Sequence, residues 1–158
     1  MLLSDVFSVS GIKTELEAED KEELFEELVD VLVRSSGMGD REGILAALRE
    51  REAKMSTGIK TGIAIPHAKL EGARGICGAL GISRGGIDYE ALDGKPVHLV
   101  FLLVCSPGDT ELHLRTLNKI ANLLKCSGFY EDMQSADSAQ KAHQMLKRYE
   151  EILETSGD

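Results

Sequence analysis

Apolar side chains recur at helical spacing in the first third of the chain. Asp20 and Glu23 form a capping box, and the residues after them predict a helix from about 21 to 35. Asp40 is a second N-cap candidate, and it opens a helix over about 41–53. The predicted buried stripes of these helices are Leu24, Phe25, Leu28, Val29 and Leu32 in the first and Ile44, Leu45 and Leu48 in the second.

The pattern changes in the middle of the chain to short apolar and β-branched runs bounded by Gly, Pro or Asp. These runs predict strands at about 62–65, 76–83 and 97–105. The last run is apolar throughout after His98, so we expect a central strand with both faces covered. Strands interleaved with helices indicate a layered α/β domain rather than a barrel or a bundle.

The last third of the chain returns to helical spacing. The turn "SPGDTE" precedes a helix that Asp109 or Thr110 can cap, with His113 in its first turn. The region from about 129 to 154 predicts a short helix and then a longer polar helix entered at Asp137.

Composition narrows the class of protein. The 158 residues fit a single domain over 1–158, long enough to bury a core without a metal or disulfides. The formal net charge of -9 argues against a nucleic-acid partner, which would need clustered Lys and Arg. The longest apolar run, at 100–105, is too short to cross a bilayer, and no signal peptide opens the chain. We therefore expect a cytoplasmic protein without membrane insertion.

The cysteines do not suggest a site. Cys77, Cys105 and Cys126 are widely spaced and form no C-x-x-C motif, which is typical of reduced thiols. As small buried hydrophobes they need no functional role, and a redox or metal function is the less favoured interpretation.

Two of the four histidines have ordinary structural explanations. His143 lies on a polar helix among Gln and Lys, where a solvated surface role is the default. His98 begins the central strand, where a half-buried imidazole with a satisfied hydrogen bond is expected.

His67 is different because of the residue before it. Pro66 fixes its own φ, removes a backbone donor and favours an extended Ile65, so the imidazole should be held at a rigid strand end. Chemistry often lies at such positions. A strand that ends in Pro-His by chance is an equal alternative on spacing alone.

His113 would feel the positive end of a helix macrodipole. A neutral imidazole there can donate a hydrogen bond to an anion, and the free N–H groups of the first turn bind anions as well. If His67 and His113 face each other, they predict phosphate chemistry. A metal site is the weaker alternative, because no third ligand stands at a familiar spacing.

The stretch "STGIKTGIAIPHAK", at 56–69, resembles the phosphorylation-site signature of a bacterial family. That family is the mannitol/fructose-type enzyme IIA of the phosphoenolpyruvate:sugar phosphotransferase system, which includes nitrogen-regulatory IIA proteins. The resemblance extends to "LREREAKMSTGI" before the site and to "ALDGKPVHLVFLLV" and "ELHLRTLNKIANLL" after it. It implies an α/β fold (α+β in some schemes), a single layered domain whose mixed β-sheet is flanked by helices on both sides.

The resemblance also implies roles for four residues. His67 would be the phosphorylated histidine, His113 the second active-site histidine, Arg51 the cation that meets the phosphoryl group, and Thr57 a residue lining the site. It implies no cofactor and no metal. The phosphoryl group would come from a histidine phosphocarrier protein and pass to a Cys or His of a IIB domain. A purely regulatory, protein-binding role is the alternative, and it is favoured slightly because nothing in these residues selects a sugar.

One residue departs from the family pattern. Lys60 stands where members usually carry a small residue, typically Gly, so it is either a solvated loop lysine or a charge that alters partner docking. Ile59, Ile63 and Leu70 could form an apolar docking rim, although a core position is at least as good an explanation for Ile63.

Overall fold

A computed structural model describes residues 1–58 and 60–156 of the chain. The helices in this part are α1 (Leu3–Val6), α2 (Lys21–Ser36), α3 (Arg41–Lys54), α4 (Thr110–Lys125), α5 (Phe129–Ser135) and α6 (Ala139–Thr155), with a 3-10 turn at Val9–Gly11. The strands are β1 (Ile12–Lys13), β2 (Ile63–Ala64), β3 (His67–Lys69), β4 (Ile76–Ile87) and β5 (Val97–Cys105).

The strands form one mixed sheet in the order β1-β4-β5-β2, and β3 also pairs with β5. β4 and β5 are antiparallel, whereas β1, β2 and β3 run parallel to their partners. β5 is therefore central, as its continuous apolar run predicts.

Helices cover both faces of this sheet. α2 and α3 pack on one face around Leu28, Leu45 and Val104, while α1, α4, α5 and α6 pack on the other around Phe101, Leu123 and Leu146. The predicted α/β class, with a mixed sheet flanked by helices on both sides, is confirmed.

The two N-terminal helices begin where the sequence predicts. The Asp20 carboxylate accepts the backbone N–H of Glu23 at 2.9 Å, and the Asp40 carboxylate caps α3 in the same way through Gly43 at 3.0 Å. α2 ends at Gly37, whose φ of 77° is the left-handed conformation that glycine adopts without strain.

The strand before His67 is broken rather than terminated. β2 ends at Ala64, Pro66 interrupts the pairing, and β3 resumes it with His67 opposite Leu103 of β5. The Pro66 carbonyl still accepts the N–H of Leu103 at 3.0 Å. His67 is thus fixed by sheet pairing on its C-terminal side, which makes its position more rigid than that of a residue at a free strand end.

Three predictions need correction. α6 is capped by Ser138, which accepts the N–H of Lys141, and not by Asp137. Asp109 occupies the N-cap position of α4 but makes no capping hydrogen bond with its side chain. The short elements α1, β1 and β3 are absent from the prediction, because segments of two to four residues show no periodicity.

In the part of the chain that the structure describes, no helix combines the length and apolarity needed to span a bilayer.

Candidate functional site

The imidazole of His67 is oriented by a backbone carbonyl. Its Nδ1 lies 2.7 Å from the carbonyl oxygen of Ile65, and because a carbonyl can only accept, Nδ1 must carry the proton. Nε2 therefore keeps its lone pair. The ring is half-buried and lines an open groove, so this lone pair has the chemistry of a positioned nucleophile.

His113 reaches the same place from α4. It lies in the first turn of that helix, is only 6% exposed, and its ring centroid is 5.1 Å from that of His67 at an interplanar angle of 52°. Its Nδ1 lies 3.1 Å from the buried Sγ of Cys105 at the end of β5. The structure thus brings the two predicted histidines together.

Both imidazoles are held in their neutral forms. Burial is the largest effect on His67 and lowers its pKa below the ordinary value of 6.5, against the hydrogen bond to the Ile65 carbonyl, which raises it. The smaller effects of Arg51, which lowers that pKa, and of Glu52, which raises it, follow. Burial also lowers the pKa of His113, to about 4, with His67, Lys69 and Arg51 adding to the effect. At neutral pH one ring can act as a nucleophile and the other as a neutral hydrogen-bond donor.

Cations surround an open groove beside His67. The groove has a volume of about 340 Å³ and is lined by Arg51, Lys54, His67 and Lys69 together with Ala47, Glu50 and Ala68. Arg51 belongs to the last turn of α3, and its guanidinium donates to the carbonyl of Met55 at 3.0 Å. In a chain of net charge -9, this local excess of positive charge favours an anionic ligand.

Lys69 is a site residue that sequence reasoning missed. It stands two residues after His67 in β3, so both side chains emerge on the same face of the sheet. Its Nζ donates to Oγ1 of Thr110 at 3.1 Å, which ties β3 to the N-terminus of α4. The two-residue spacing would have revealed this residue if β3 had been predicted.

Thr57 lies under the site rather than in the groove. It is 3% exposed, and its hydroxyl donates to Glu52 at 2.8 Å and lies 2.8 Å from the hydroxyl of Tyr89. Its carbonyl accepts the N–H of Ile65 at 3.1 Å. Thr57 therefore connects to His67 through Ile65, and its hydroxyl has no described contact with either histidine.

The buried Glu52 carboxylate organises this layer. It accepts the N–H of Thr57 at 2.7 Å and lies 3.4 Å from Nζ of Lys21, which is also positioned over the Tyr89 ring. Burial, and then Glu52, raise the pKa of Tyr89, so its phenol stays protonated. In the sequence, Glu52 stands out only as one letter of the stretch "LREREAKMSTGI".

The other two histidines have structural partners. Nδ1 of His98 is 2.8 Å from the carbonyl of Ser83, as expected for a satisfied half-buried imidazole. His143 is half-buried rather than solvated, because its Nε2 lies 2.7 Å from the carbonyl of Ser4 and joins α6 to α1.

Little of the predicted apolar rim is found at the surface. Ile63 is 4% exposed and belongs to the core, while Leu70 is half-buried against the α2–α3 face. Ile59 lies outside the described residues. Lys60 is exposed, and its carbonyl closes a tight turn by accepting the N–H of Ile63 at 3.0 Å.

That turn depends on Gly62. Its φ of 78° is left-handed, and a Cβ at this position would lie 2.0 Å from the hydroxyl of Tyr130.

Across residues 1–58 and 60–156, no group of three or more His, Cys, Asp or Glu side chains is arranged to hold a metal ion.

The sequence matches a known family. Residues 5–149 match the family described as "Phosphoenolpyruvate-dependent sugar phosphotransferase system, EIIA 2". The chain belongs to this EIIA 2 family. Its members act as phosphoryl-transfer components of that system, so a transferase-type role is supported.

Two curated relatives carry fructose-specific names. The chain is 36% identical over 138 residues to the fructose-specific EIIABC component of Bacillus subtilis, a match covering 87% of this chain and 22% of that protein. It is 33% identical over 144 residues to the fructose-specific EIIA component of Haloferax volcanii, with 91% and 94% of the two chains covered.

A solved structure carries a regulatory name. The EIIA 2 chain superposes on the crystal structure of the nitrogen regulatory protein IIA-Ntr from Neisseria meningitidis with a TM-score of 0.83 and 31% identity, covering 91% of this chain and 98% of the other. The relatives together support a phosphocarrier or regulatory role.

Proposed function

We propose that this EIIA 2 protein is a phosphocarrier that accepts a phosphoryl group on Nε2 of His67. The observation that carries the proposal is the 2.7 Å contact of Nδ1 with the Ile65 carbonyl, which leaves Nε2 as the bare nitrogen of a fixed ring. The donor would be a phosphohistidine on an upstream carrier protein.

The transfer needs no metal or cofactor. The lone pair of Nε2 attacks phosphorus in line, the new N–P bond forms as the donor's N–P bond breaks, and the donor imidazole leaves with that electron pair. The proton on Nδ1 stays hydrogen-bonded to the Ile65 carbonyl, which offsets the positive charge that develops on the ring. Such a loose transition state depends mainly on positioning and electrostatics.

Three groups are available to stabilise the phosphoryl oxygens. Arg51 offers a planar cation that lines the groove, His113 a neutral donor from the start of α4, and Lys69 a point charge whose Nζ donates to Thr110. Asp109 does not cap α4 with its side chain, so the first N–H groups of that helix add partial positive charge. Thr57, in our proposal, positions His67 through Ile65 and does not touch the phosphoryl group.

The downstream step would hand the phosphoryl group to a Cys or His of a IIB domain. Support comes from the Bacillus subtilis relative, whose name joins an A, a B and a C component. The N–P bond of phosphohistidine keeps the transfer potential that this second step requires.

The test is to incubate the purified chain with radiolabelled, phosphorylated histidine carrier and to follow the label on a gel. We expect label on this chain that is lost in acid and survives base, as for a phosphohistidine. Acid-stable label, or no label at any carrier concentration, would contradict the proposal.

A regulatory use of the same reaction is a second candidate, favoured by the 31% identity to a nitrogen regulatory protein. The phosphorylated and unphosphorylated forms would then bind a target protein with different affinities. Affinity capture with wild type, His67→Ala and His67→Asp separates the two uses. Recovery of a IIB protein indicates transport, and recovery of a kinase or channel by only one form indicates regulation.

A further inference from the structure

Cys105 occupies a special place in the sheet. It is the last residue of β5, it pairs with Lys69 of β3, and its side chain is fully buried. His67 pairs with Leu103 two residues earlier in the same register. Because side chains alternate along a strand, Cys105 and His67 emerge on the same face, the face on which α4 packs.

His113 lies between these two side chains. Its ring is 5.1 Å from the His67 ring by centroids, and its Nδ1 is 3.1 Å from Sγ of Cys105. A ring whose Nδ1 is occupied in this way has only Nε2 left for a ligand. The position of the proton on His113 therefore decides whether Nε2 can donate to an anion or would repel it.

The buried contact favours one arrangement of that proton. Burial raises the pKa of the Cys105 thiol and lowers that of His113, so the pair is a neutral thiol and a neutral imidazole. An imidazole nitrogen is a good acceptor, whereas thiol sulfur is a weak one. The S–H group donating to Nδ1 satisfies both buried atoms and leaves the proton of the ring on Nε2.

We propose that Cys105 is a positioning residue that holds His113 in the Nε2–H form, so that His113 donates to the phosphoryl group on His67. The two adjacent rings would then have opposite tautomers. The Ile65 carbonyl holds the proton of His67 on Nδ1 and leaves a bare Nε2, while the Cys105 thiol does the reverse for His113. The consequence for catalysis rests on the proposed phosphoryl transfer, but the tautomers do not.

Long-range proton–nitrogen NMR of the full chain, labelled with ¹⁵N and studied without any phosphoryl donor, reads both tautomers directly. We expect wild-type His113 to carry its proton on Nε2 and His67 on Nδ1. Cys105→Ala should shift His113 to a mixture with protonated Nδ1, and Cys105→Ser, which retains a donor, should keep the wild-type pattern. The half-buried Cys126 supplies a matched control, Cys126→Ala, which should change neither ring.

Transfer rates give the second readout. Cys105→Ala should accept the phosphoryl group about 3- to 10-fold more slowly, the effect of losing one hydrogen bond that orients a donor, and Cys105→Ser should stay within about 2-fold of wild type. If Cys105→Ala fails to fold, the spectra of wild type and of Cys105→Ser still show which nitrogen of His113 carries the proton. A wild-type His113 protonated on Nδ1, or a Cys105→Ala variant with unchanged tautomer and rate, would overturn the inference. Correct tautomers without any phosphoryl acceptance would instead refute the proposed function alone.

Discussion

Each of the four histidines in this protein has a hydrogen-bond partner in the fold, but the four lie in two kinds of surroundings. His98 and His143 each touch one carbonyl, of Ser83 and of Ser4, and join elements of the fold. His67 and His113 lie side by side, 5.1 Å apart by ring centroids, and His67 lines an open groove. A single hydrogen bond to a carbonyl therefore does not distinguish a functional histidine from a structural one.

The difference lies in what the second nitrogen meets. Around His67, Arg51 and Lys69 line the groove. The His67 ring also lines this groove, yet it is buried enough for its pKa to be lowered and the ring to stay neutral. A neutral nucleophile among cations is suited to phosphoryl transfer, since the cations attract the incoming group without protonating the ring.

The largest effect should come from the histidines themselves. His67→Ala should abolish phosphoryl acceptance, because no other imidazole has a bare nitrogen at the groove in the described residues. His143→Ala, which removes only the contact to Ser4, should accept label at the wild-type rate. Gel-based transfer from the labelled carrier measures both variants. Residual label on His67→Ala would place the acceptor elsewhere.

The next effect concerns the cation on α3. Arg51→Ala should slow transfer roughly 10²- to 10³-fold, the usual result of removing one donor that stabilises developing charge, and His113→Ala should have a similar effect. Arg49→Ala is the matched control, since Arg49 is exposed on the same helix and pairs with Glu22. Equal rates for the Arg51 and Arg49 variants, measured by rapid quench, would remove Arg51 from the mechanism.

A smaller effect should be seen in stability as the pH falls. The folded protein takes up a proton on His113 only near pH 4, whereas the unfolded chain takes it up near the ordinary value of 6.5. Between these values the unfolded state binds more protons, so the free energy of unfolding decreases as pH falls through this window. Between pH 6.5 and pH 4, the free energy of unfolding should fall by roughly 1 to 3 kcal/mol less in His113→Gln than in wild type. Urea denaturation at each pH measures this difference. Parallel curves for the two proteins would contradict the neutral buried His113.

The smallest kinetic effect should come from the layer beneath the groove. Thr57→Val removes the hydroxyl shared by Glu52 and Tyr89, so the free energy of unfolding should fall by about 1 to 3 kcal/mol. Transfer should slow less than about 10-fold, because the backbone link to Ile65 remains. Thr57→Ser keeps the hydroxyl and should resemble wild type. A 100-fold loss of transfer with unchanged stability would instead place Thr57 in contact with the phosphoryl group.

The sequence predicts the long elements of this fold well. The bounds of α2, α3 and β5 agree with the apolar pattern within a residue or two, because each element buries a regular stripe or a continuous run. The break at Pro66 and the return of the strand at His67 could not be predicted, since β3 has three residues and owes its existence to pairing with β5.

The site shows the same division. Pro66 and the helix start near His113 point to the two histidines, while the role of Lys69 depends on the unpredicted strand. Cys105 is an ordinary buried cysteine in the sequence, and only the packing of α4 against β5 puts its sulfur 3.1 Å from His113. The roles of Lys69 and Cys105 therefore depend on contacts between segments that are distant in the sequence, and no local pattern contains such contacts.

The central claim is that Nε2 of His67 takes the phosphoryl group. After phosphorylation of ¹⁵N-labelled protein by its carrier, nitrogen–phosphorus coupling in the NMR spectrum identifies the bonded atom. We predict coupling to Nε2 of His67, while Nδ1 keeps its proton and still donates it to the Ile65 carbonyl. Coupling to Nδ1 of His67, or to either nitrogen of His113, would contradict the account.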